Sequence, residues 1–227
     1  MIQRICCALL VIAVAGCATR PGSPHRVPAS PPEAPSGAEL SSVAALAAAI
    51  EADSRRSDHE TDSATRTELA AAAGRDAQAC LALEPAAAAC LYGHAVALGL
   101  EARAHPTRAG ELLNEMLEAL TRAESADAGY DEAGPARVRA LVLIRAPGWP
   151  LGPGDTEAGL IAARRAAALE PLYPPNLLAL AEALAKNGDV NGARENYGKA
   201  REAAQSLTDA ADRDEWLREA DQGLQRK

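Results

Sequence analysis

Cysteine and histidine are the side chains through which this chain could bind a metal or attack a substrate. The chain has five cysteines and four histidines, and no two of the histidines have metal-ligand spacing with each other or with a cysteine. There is no nucleophile elbow, no phosphate-binding loop and no carboxylate pair in a defining context. We therefore predict no enzymatic activity, no metal and no cofactor. A buried polar cluster around His94 or Arg137 would favour the alternative, an enzyme.

The N-terminus has the pattern of an export signal. Arg4 precedes a short apolar run at 5–14, and the motif VAGC ends at Cys17. The run is shorter than the roughly 20 apolar residues that span a bilayer but suits the apolar part of a signal peptide. The motif resembles a bacterial lipobox, which implies cleavage before Cys17 and acylation of that cysteine. Ala18, which is not aspartate, then implies the periplasmic face of the outer membrane. The alternative is an ordinary secretory signal with an unmodified cysteine.

Three regions follow from this pattern: a signal peptide at 1–16, an acylated cysteine with a proline-rich tether at 17–36, and a helical domain at 37–227. The tether cannot propagate a helix or bury a core, and it would hold the domain off the lipid surface.

The net charge of the chain is −8. There is no Lys/Arg cluster for a phosphate backbone, so we expect no nucleic-acid partner.

Export changes what is expected of the last two cysteines. Cys80 and Cys90 lie on consecutive predicted helices, on either side of the Glu84-Pro85 turn. In an oxidising compartment a disulfide across this turn could persist. The alternative is a pair of small buried apolar side chains.

The domain is predicted to be all-α. Alanine, the strongest helix former, is frequent and phenylalanine is absent. Asp155 and Asp189 stand where N-caps are expected, and Gly188 stands where a helix ends. A polar stretch at 53–59 separates the first two helices. The predicted helices are 39–52, 60–83, 86–101, 107–124, 132–145, 155–169, 175–186, 190–206 and 209–225.

Small residues recur at fixed spacing along this domain. Pro171 to Gln205 is one period of about 34 residues, the length of a tetratricopeptide repeat, and the residue types resemble that repeat. The resemblance implies a tetratricopeptide-like α-solenoid of stacked antiparallel helix pairs with a C-terminal capping helix. The alternative is an alanine-rich bundle without a superhelix. The recurring sets are Ala73, Ala77, Cys80 and Pro85; Gly159, Ala163, Ala166 and Pro171; and Ala193, Tyr197 and Ala200.

Two segments carry a closer resemblance. GYDEAGPAR begins at Gly129 and APGWPLGPGD begins at Ala146, and together they resemble the TatT family of periplasmic lipoproteins associated with TRAP-type transporters. The similarity covers about 81–204. It implies a bent solenoid with a ligand-accessible interior, a solute-binding protein as partner, and homo-oligomers such as trimers.

Candidate binding residues follow from the repeat phase and from these segments. The concave face is expected on the first helix of each pair, where it would take a peptide helix or an apolar molecule; the alternative is that these residues are core. Trp149 either lines a ligand groove or contacts a partner, or else it fills the gap beneath its loop. Arg137 and Arg139 either bind a carboxylate or form ion pairs. The candidate surface is Tyr92, Val96, Leu100, Arg137, Trp149, Leu178, Glu182 and Lys186.

These observations predict a membrane-anchored periplasmic binding or scaffold lipoprotein, in its sharper form a TatT-like accessory of a TRAP-type transporter. The alternative is a general envelope-assembly or structural lipoprotein of the same repeats, without a small-molecule ligand.

Overall fold

The structure, a computed structural model, describes residues 42–208 and 211–226. The predicted signal peptide, the lipidation site Cys17 and the proline-rich tether lie outside these residues. Within the described ranges the chain is all-helical, with nine α-helices and one 3-10 turn at Pro106–Arg108. The helices are α1 Val43–His59, α2 Ser63–Leu83, α3 Ala88–Ala104, α4 Ala109–Ala126, α5 Tyr130–Arg145, α6 Thr156–Leu169, α7 Pro174–Lys186, α8 Val190–Ser206 and α9 Arg213–Gln225.

Helix α1 is longer than its apolar pattern predicts. The stretch 53–59, expected to separate two helices, is its last part, so that expectation was wrong. The reason is a polar contact with α3: Arg103 donates to Asp58 Oδ1 at 2.8 Å and to Ser57 Oγ at 3.0 Å. Ser57 and Asp58, near the end of this hydrophilic stretch, are therefore held against α3 by hydrogen bonds from Arg103.

The predicted helix ends are confirmed where caps define them. The Asp155 carboxylate accepts from the backbone N–H of Ala158 at 2.9 Å, and the Asp189 carboxylate accepts from Gly192 at 2.8 Å. Gly188 has a φ of 85°, the left-handed conformation that ends a helix most readily with glycine.

The helices form two layers. Each helix packs against the next in the chain, and α1, α3, α5, α7 and α9 also pack against one another in sequence. The remaining helices contact only their chain neighbours among the α-helices. We refer to the odd-numbered helices as the inner layer and to the even-numbered helices as the outer layer.

Small side chains make the contact between the layers. The recurring residues Ala77, Ala163 and Ala200 are each fully buried, and Tyr197 is nearly so. At Gly159 of α6 a Cβ atom would overlap Ile144 Cγ2 of α5, so only glycine allows this close crossing. The repeated pattern therefore corresponds to the surface along which consecutive helices meet.

Cys80 and Cys90 form a disulfide that joins the end of α2 to the start of α3, with the two Cα atoms 5.2 Å apart. Both cysteines are fully buried and pack against Leu46 of α1. The bridge therefore ties the first three helices together. None of the helices in 42–208 and 211–226 is long and apolar enough to cross a membrane.

A pair of glycine variants tests the close crossing of α5 and α6. We expect Gly159→Ala to lower the free energy of unfolding by about 1–3 kcal/mol, because the new methyl group overlaps Ile144. Gly198→Ala in α8 is the matched control, since a Cβ there meets no atom within 4 Å. It should raise the same quantity by about 1 kcal/mol through helix propensity. Urea unfolding followed by circular dichroism measures the free energy of unfolding of both variants. Equal changes in the two would contradict the close approach of α5 and α6 at Gly159.

Candidate ligand-binding cavity

A cavity of about 540 Å³ opens on the inner layer. Its walls come from α1, α3, the start of α5 and Tyr173, which precedes α7. Small-molecule sites are commonly about 300–1,000 Å³ and mostly apolar with a few placed polar groups. The lining residues are Val43, Ala44, Ala47, Ala48, Ile50, Glu51, Ser54, Arg55, Ala89, Tyr92, Gly93, Val96, Tyr130, Asp131, Arg137 and Tyr173.

One wall of the cavity is apolar, and its residues are small. Ala44, Ala47 and Ala48 of α1 and Val96 of α3 all line the space. Gly93 lets α1 approach α3, because a Cβ at this position would lie only 2.9 Å from Ile50 Cδ1. Alanines on α1 thus leave room that larger side chains would fill.

The opposite end of the cavity is polar and centres on Arg137. The Arg137 guanidinium donates to Asp131 Oδ2 at 2.8 Å. The Tyr92 hydroxyl donates to the same oxygen at 2.9 Å. Arg137 also lies over the Tyr173 ring, 5.2 Å from its centroid, a distance at which a cation and an aromatic face attract each other. The buried Arg137 thus has an anionic partner in Asp131 and an aromatic partner in Tyr173.

The chain enters α5 through a left-handed turn. Asp131, Glu132 and Ala133 have φ/ψ of 51/48°, 50/53° and 62/32°, which is the left-handed helical conformation. Each non-glycine residue there costs roughly 1–2 kcal/mol. The predicted start of this helix at 132 therefore falls inside the turn, and the right-handed part of α5 begins at Gly134.

Two buried side chains hold this turn. Arg137 Nη1 donates to the carbonyl oxygens of Asp131 at 3.2 Å and Glu132 at 3.0 Å. Asn176 Nδ2 donates to the Glu132 carbonyl at 3.0 Å, while Asn176 Oδ1 accepts from Arg137 at 3.1 Å. Gly134 makes room for the cluster, because a Cβ there would lie 2.5 Å from Asp131 Oδ2 and 2.9 Å from the Tyr92 hydroxyl.

The tyrosines of the cavity are held in the protonated form. Burial raises the pKa of Tyr92 well above its usual value, and the adjacent Asp131 charge raises it further. Burial is also the main cause that raises the pKa of Tyr173 to about 12 and the pKa of Tyr130. Their hydroxyls are therefore hydrogen-bond donors at physiological pH.

The structure brings three of the predicted surface residues into the cavity: Tyr92, Val96 and Arg137. Leu100 and Leu178 are instead buried core, the alternative left open for them. Glu182 is paired with Arg145 through bonds such as Arg145 Nε to Glu182 Oε1 at 2.9 Å, and the exposed Lys186 does not line the cavity.

Ion pairs account for Arg137 and Arg139 of α5. Arg137 pairs with Asp131, and Arg139 pairs with the buried Glu124 at 3.0 Å. Sequence reasoning missed Tyr130, Asp131 and Tyr173, although two of them lie in the GYDEAGPAR segment. The signal that could have found them is Gly134-Pro135, which marks an unusual helix start.

Trp149 does not fill a gap beneath its loop, so that interpretation was wrong. Its side chain is 90 % exposed, and the neighbouring Leu151 is 78 % exposed. The loop closes on its own backbone: Gly154 donates to the Pro147 carbonyl at 2.8 Å, and Asp155 donates to the Leu143 carbonyl at 2.9 Å. Since the backbone occupies the interior of the loop, the indole projects outward.

The polar cluster around Arg137 is the arrangement that we expected to favour an enzyme. Its hydrogen bonds run between Arg137, Asp131, Tyr92, Asn176 and backbone carbonyls, and they fix the left-handed turn.

His94 is half-buried in a separate cavity of about 200 Å³, beside Gln78, Glu101, Arg108 and Glu115. Burial is the main cause that lowers its pKa. Across the described ranges no group of three His, Cys, Asp or Glu side chains could hold a metal ion.

Comparison with known proteins gives no relative: neither the scan against protein-family models nor the search of curated proteins finds a match.

The clamp on the left-handed turn predicts a large effect at Asn176. Asn176→Ala removes the donor to the carbonyls of Glu132, Ala166 and Glu170. Each of these carbonyls keeps one other donor, but the variant loses three hydrogen bonds and the acceptor for Arg137 at a buried site, which should lower the free energy of unfolding by about 1–3 kcal/mol. Asn196→Ala in α8 is the control, since its side chain donates to the Gly192 carbonyl of its own helix, and its effect should stay within about 0.5 kcal/mol. Similar losses would show that no clamp exists.

The raised tyrosine pKa values predict a loss of stability at alkaline pH. Above about pH 10 the tyrosines of the unfolded chain lose their protons while those of the folded chain keep them. The unfolded state then binds fewer protons, so the free energy of unfolding falls as pH rises. Phenolate absorbance of the folded protein should appear well above pH 10. The protein unfolded in urea should show it at lower pH. Coincident titration curves would refute the burial of these groups. The four tyrosines of the chain, all with raised pKa, are Tyr92, Tyr130, Tyr173 and Tyr197.

Proposed function

We propose that this protein is a lipid-anchored binding protein of the periplasm whose inner-layer cavity takes an apolar small molecule. The observation that carries the proposal is the cavity itself. It has the volume of a ligand site, an alanine-rich wall and one polar end. The clustered hydrogen bonds at that end build a fixed shape, which is what binding requires of a site.

We also propose that the fold is a tetratricopeptide-like solenoid. Two features of the described residues support this. The inner-layer helices contact one another in sequence whereas the outer-layer helices do not, as expected of stacked helix pairs. Cys80, Ala166 and Ala200, which hold the same place in the recurring sets of α2, α6 and α8, are each fully buried.

Anchoring at Cys17 is part of the proposal. It is supported by the VAGC motif and the short apolar run before it. Several acyl chains on one cysteine give stable attachment, whereas a single chain gives only reversible binding. The tether would then hold the cavity away from the outer membrane and within reach of periplasmic partners.

The sharper form of the proposal is a TatT-like accessory of a TRAP-type transporter. The resemblance in GYDEAGPAR supports it, because this segment contributes Tyr130, Asp131 and Arg137 to the cavity. The second similar segment presents Trp149 to solvent. In this proposal the cavity holds the ligand and the Trp149 loop meets the solute-binding protein.

A second candidate is an envelope-assembly scaffold without a small ligand. The exposure of Trp149 and Leu151 on a loop closed by backbone hydrogen bonds favours it. A rigid, projecting indole suits a protein contact, since tryptophan is enriched where binding energy is concentrated.

Filling the cavity tests the ligand-binding proposal. Ala47→Trp places an indole in the space, whereas Ala71→Trp places one on the exposed face of α2, which does not line the cavity. The full chain is purified from membranes, extracted with organic solvent and analysed by mass spectrometry. We expect a small apolar compound with wild type and Ala71→Trp that is reduced at least about tenfold with Ala47→Trp. Identical extracts from all three would contradict the proposal.

A loop variant distinguishes the two candidates. In both, Trp149→Ala should weaken co-purification of the protein partner. An accessory of a transporter requires that this partner is a solute-binding protein and that Ala47→Trp changes ligand transfer to it. A scaffold requires an envelope protein as partner, with Ala47→Trp having no effect. Retention of every partner by Trp149→Ala would rule out the loop as a contact.

A further inference from the structure

We infer that the cavity selects apolar molecules whose polar group donates hydrogen bonds, a hydroxyl or an ammonium, over molecules that end in a carboxylate. The inference rests on the proposed binding function and names the chemistry of its ligand. The inference depends on which member of each ion pair in the cavity is exposed to a ligand.

The central ion pair exposes only its negative member. The Arg137 side chain is 7 % exposed, whereas the Asp131 side chain is 37 % exposed. Both residues line the cavity. A ligand entering the space therefore meets the carboxylate, while the guanidinium stays behind it.

The two terminal nitrogens of Arg137 donate to groups of the protein. Nη1 donates to the carbonyls of Asp131 and Glu132 and to Asn176 Oδ1. Nη2 donates to Asp131 Oδ2. Both terminal nitrogens of Arg137 are thus engaged in holding the turn, and a ligand carboxylate that paired with them would compete with this clamp.

Asp131 keeps one oxygen for a ligand. Its Oδ2 accepts from both Tyr92 and Arg137. Within the part of the chain that the structure describes, its Oδ1 accepts no hydrogen bond from a side chain or from the backbone. A carboxylate oxygen is an acceptor only, so the complementary ligand group is a donor.

The other charges of the cavity do not reverse this preference. Glu51 and Arg55 lie one turn apart on α1 and pair with each other. Glu51 is also close enough to Tyr130 to raise its pKa. The reachable charges are therefore two carboxylates and one exposed guanidinium that is already paired.

The resulting ligand is an amphiphile. Its polar group donates to Asp131 Oδ1, its apolar part lies along Ala44, Ala47 and Ala48, and the protonated Tyr130 hydroxyl is available beside it. A carboxylate in the same place would bring two negative charges together in a partly desolvated space, which is unfavourable.

A series of ligands with one chain length and different polar groups tests this inference. The probes are 1-octanol, octylammonium, octanoate and methyl octanoate, which accepts hydrogen bonds but donates none. Binding to the full chain carrying Cys17→Ser is measured by isothermal titration calorimetry at neutral pH. We expect octanol and octylammonium to bind about tenfold more tightly than octanoate, since a hydrogen bond to a charged group is worth at least that factor. Methyl octanoate should also bind more weakly than octanol.

Each outcome separates the inference from the function on which it rests. If octanoate binds as tightly as octanol, the donor preference is overturned. If Ala47→Trp abolishes the binding of both probes in that case, the cavity is still the binding site and the proposed function stands. Equal binding of octanol and methyl octanoate would also overturn the preference. No binding of any probe to wild type, or binding unchanged in Ala47→Trp, would count against the cavity itself and overturn both.

Asp131→Asn provides the protein-side comparison. It keeps the size of the side chain and removes its charge, so octanoate should gain affinity relative to octanol until the two differ by less than about threefold. Circular dichroism checks that this variant folds. If the unpaired Arg137 prevents folding, the ligand series on the wild-type chain still decides the matter. An unchanged preference in a folded Asp131→Asn variant would overturn the inference.

Discussion

The hydrogen bonds of Arg137 are the interactions on which the candidate site depends. One buried guanidinium binds two carbonyls of a left-handed turn, a carboxylate and an amide, and it lies on an aromatic ring. Removing one partner from such a group leaves a buried charge uncompensated, which is strongly unfavourable. The turn is unfavourable for three residues in a row, and the arginine with Asn176 offsets that cost. The position of Asp131 in the cavity is a result of this balance.

Around this site the fold depends on the small size of its side chains. Consecutive helices approach closely because alanine and glycine lie between them, and Gly159 and Gly93 mark two contacts where a Cβ would overlap a neighbour. The same small residues have a second effect on α1, where alanines face open space instead of another helix. One residue type thus gives close packing where two helices meet and free volume where they do not.

Much of the helical architecture could be predicted from the sequence, because alanine content, caps and the spacing of small residues are local signals. Asp155, Asp189 and Gly188 are correct for this reason. The end of α1 was missed because its polar residues are satisfied by Arg103, more than 40 residues away in the chain. The left-handed turn was missed for a similar reason: aspartate adopts this conformation only occasionally and as a single residue, so a run of three depends on Arg137 and Asn176. Leu178 and Tyr92 have the same repeat phase and both are buried, and only the assembled helices show that Tyr92 also lines a cavity.

The bond between Cys80 and Cys90 gives the cavity a link to cellular compartment. Leu46 rests on the disulfide, and the next residue along α1, Ala47, faces the ligand space. In the reducing cytosol such a bond does not persist, so for a chain exported as we propose the support behind this wall becomes covalent only after translocation. On this proposal, the first three helices acquire their covalent link once the chain has reached the envelope.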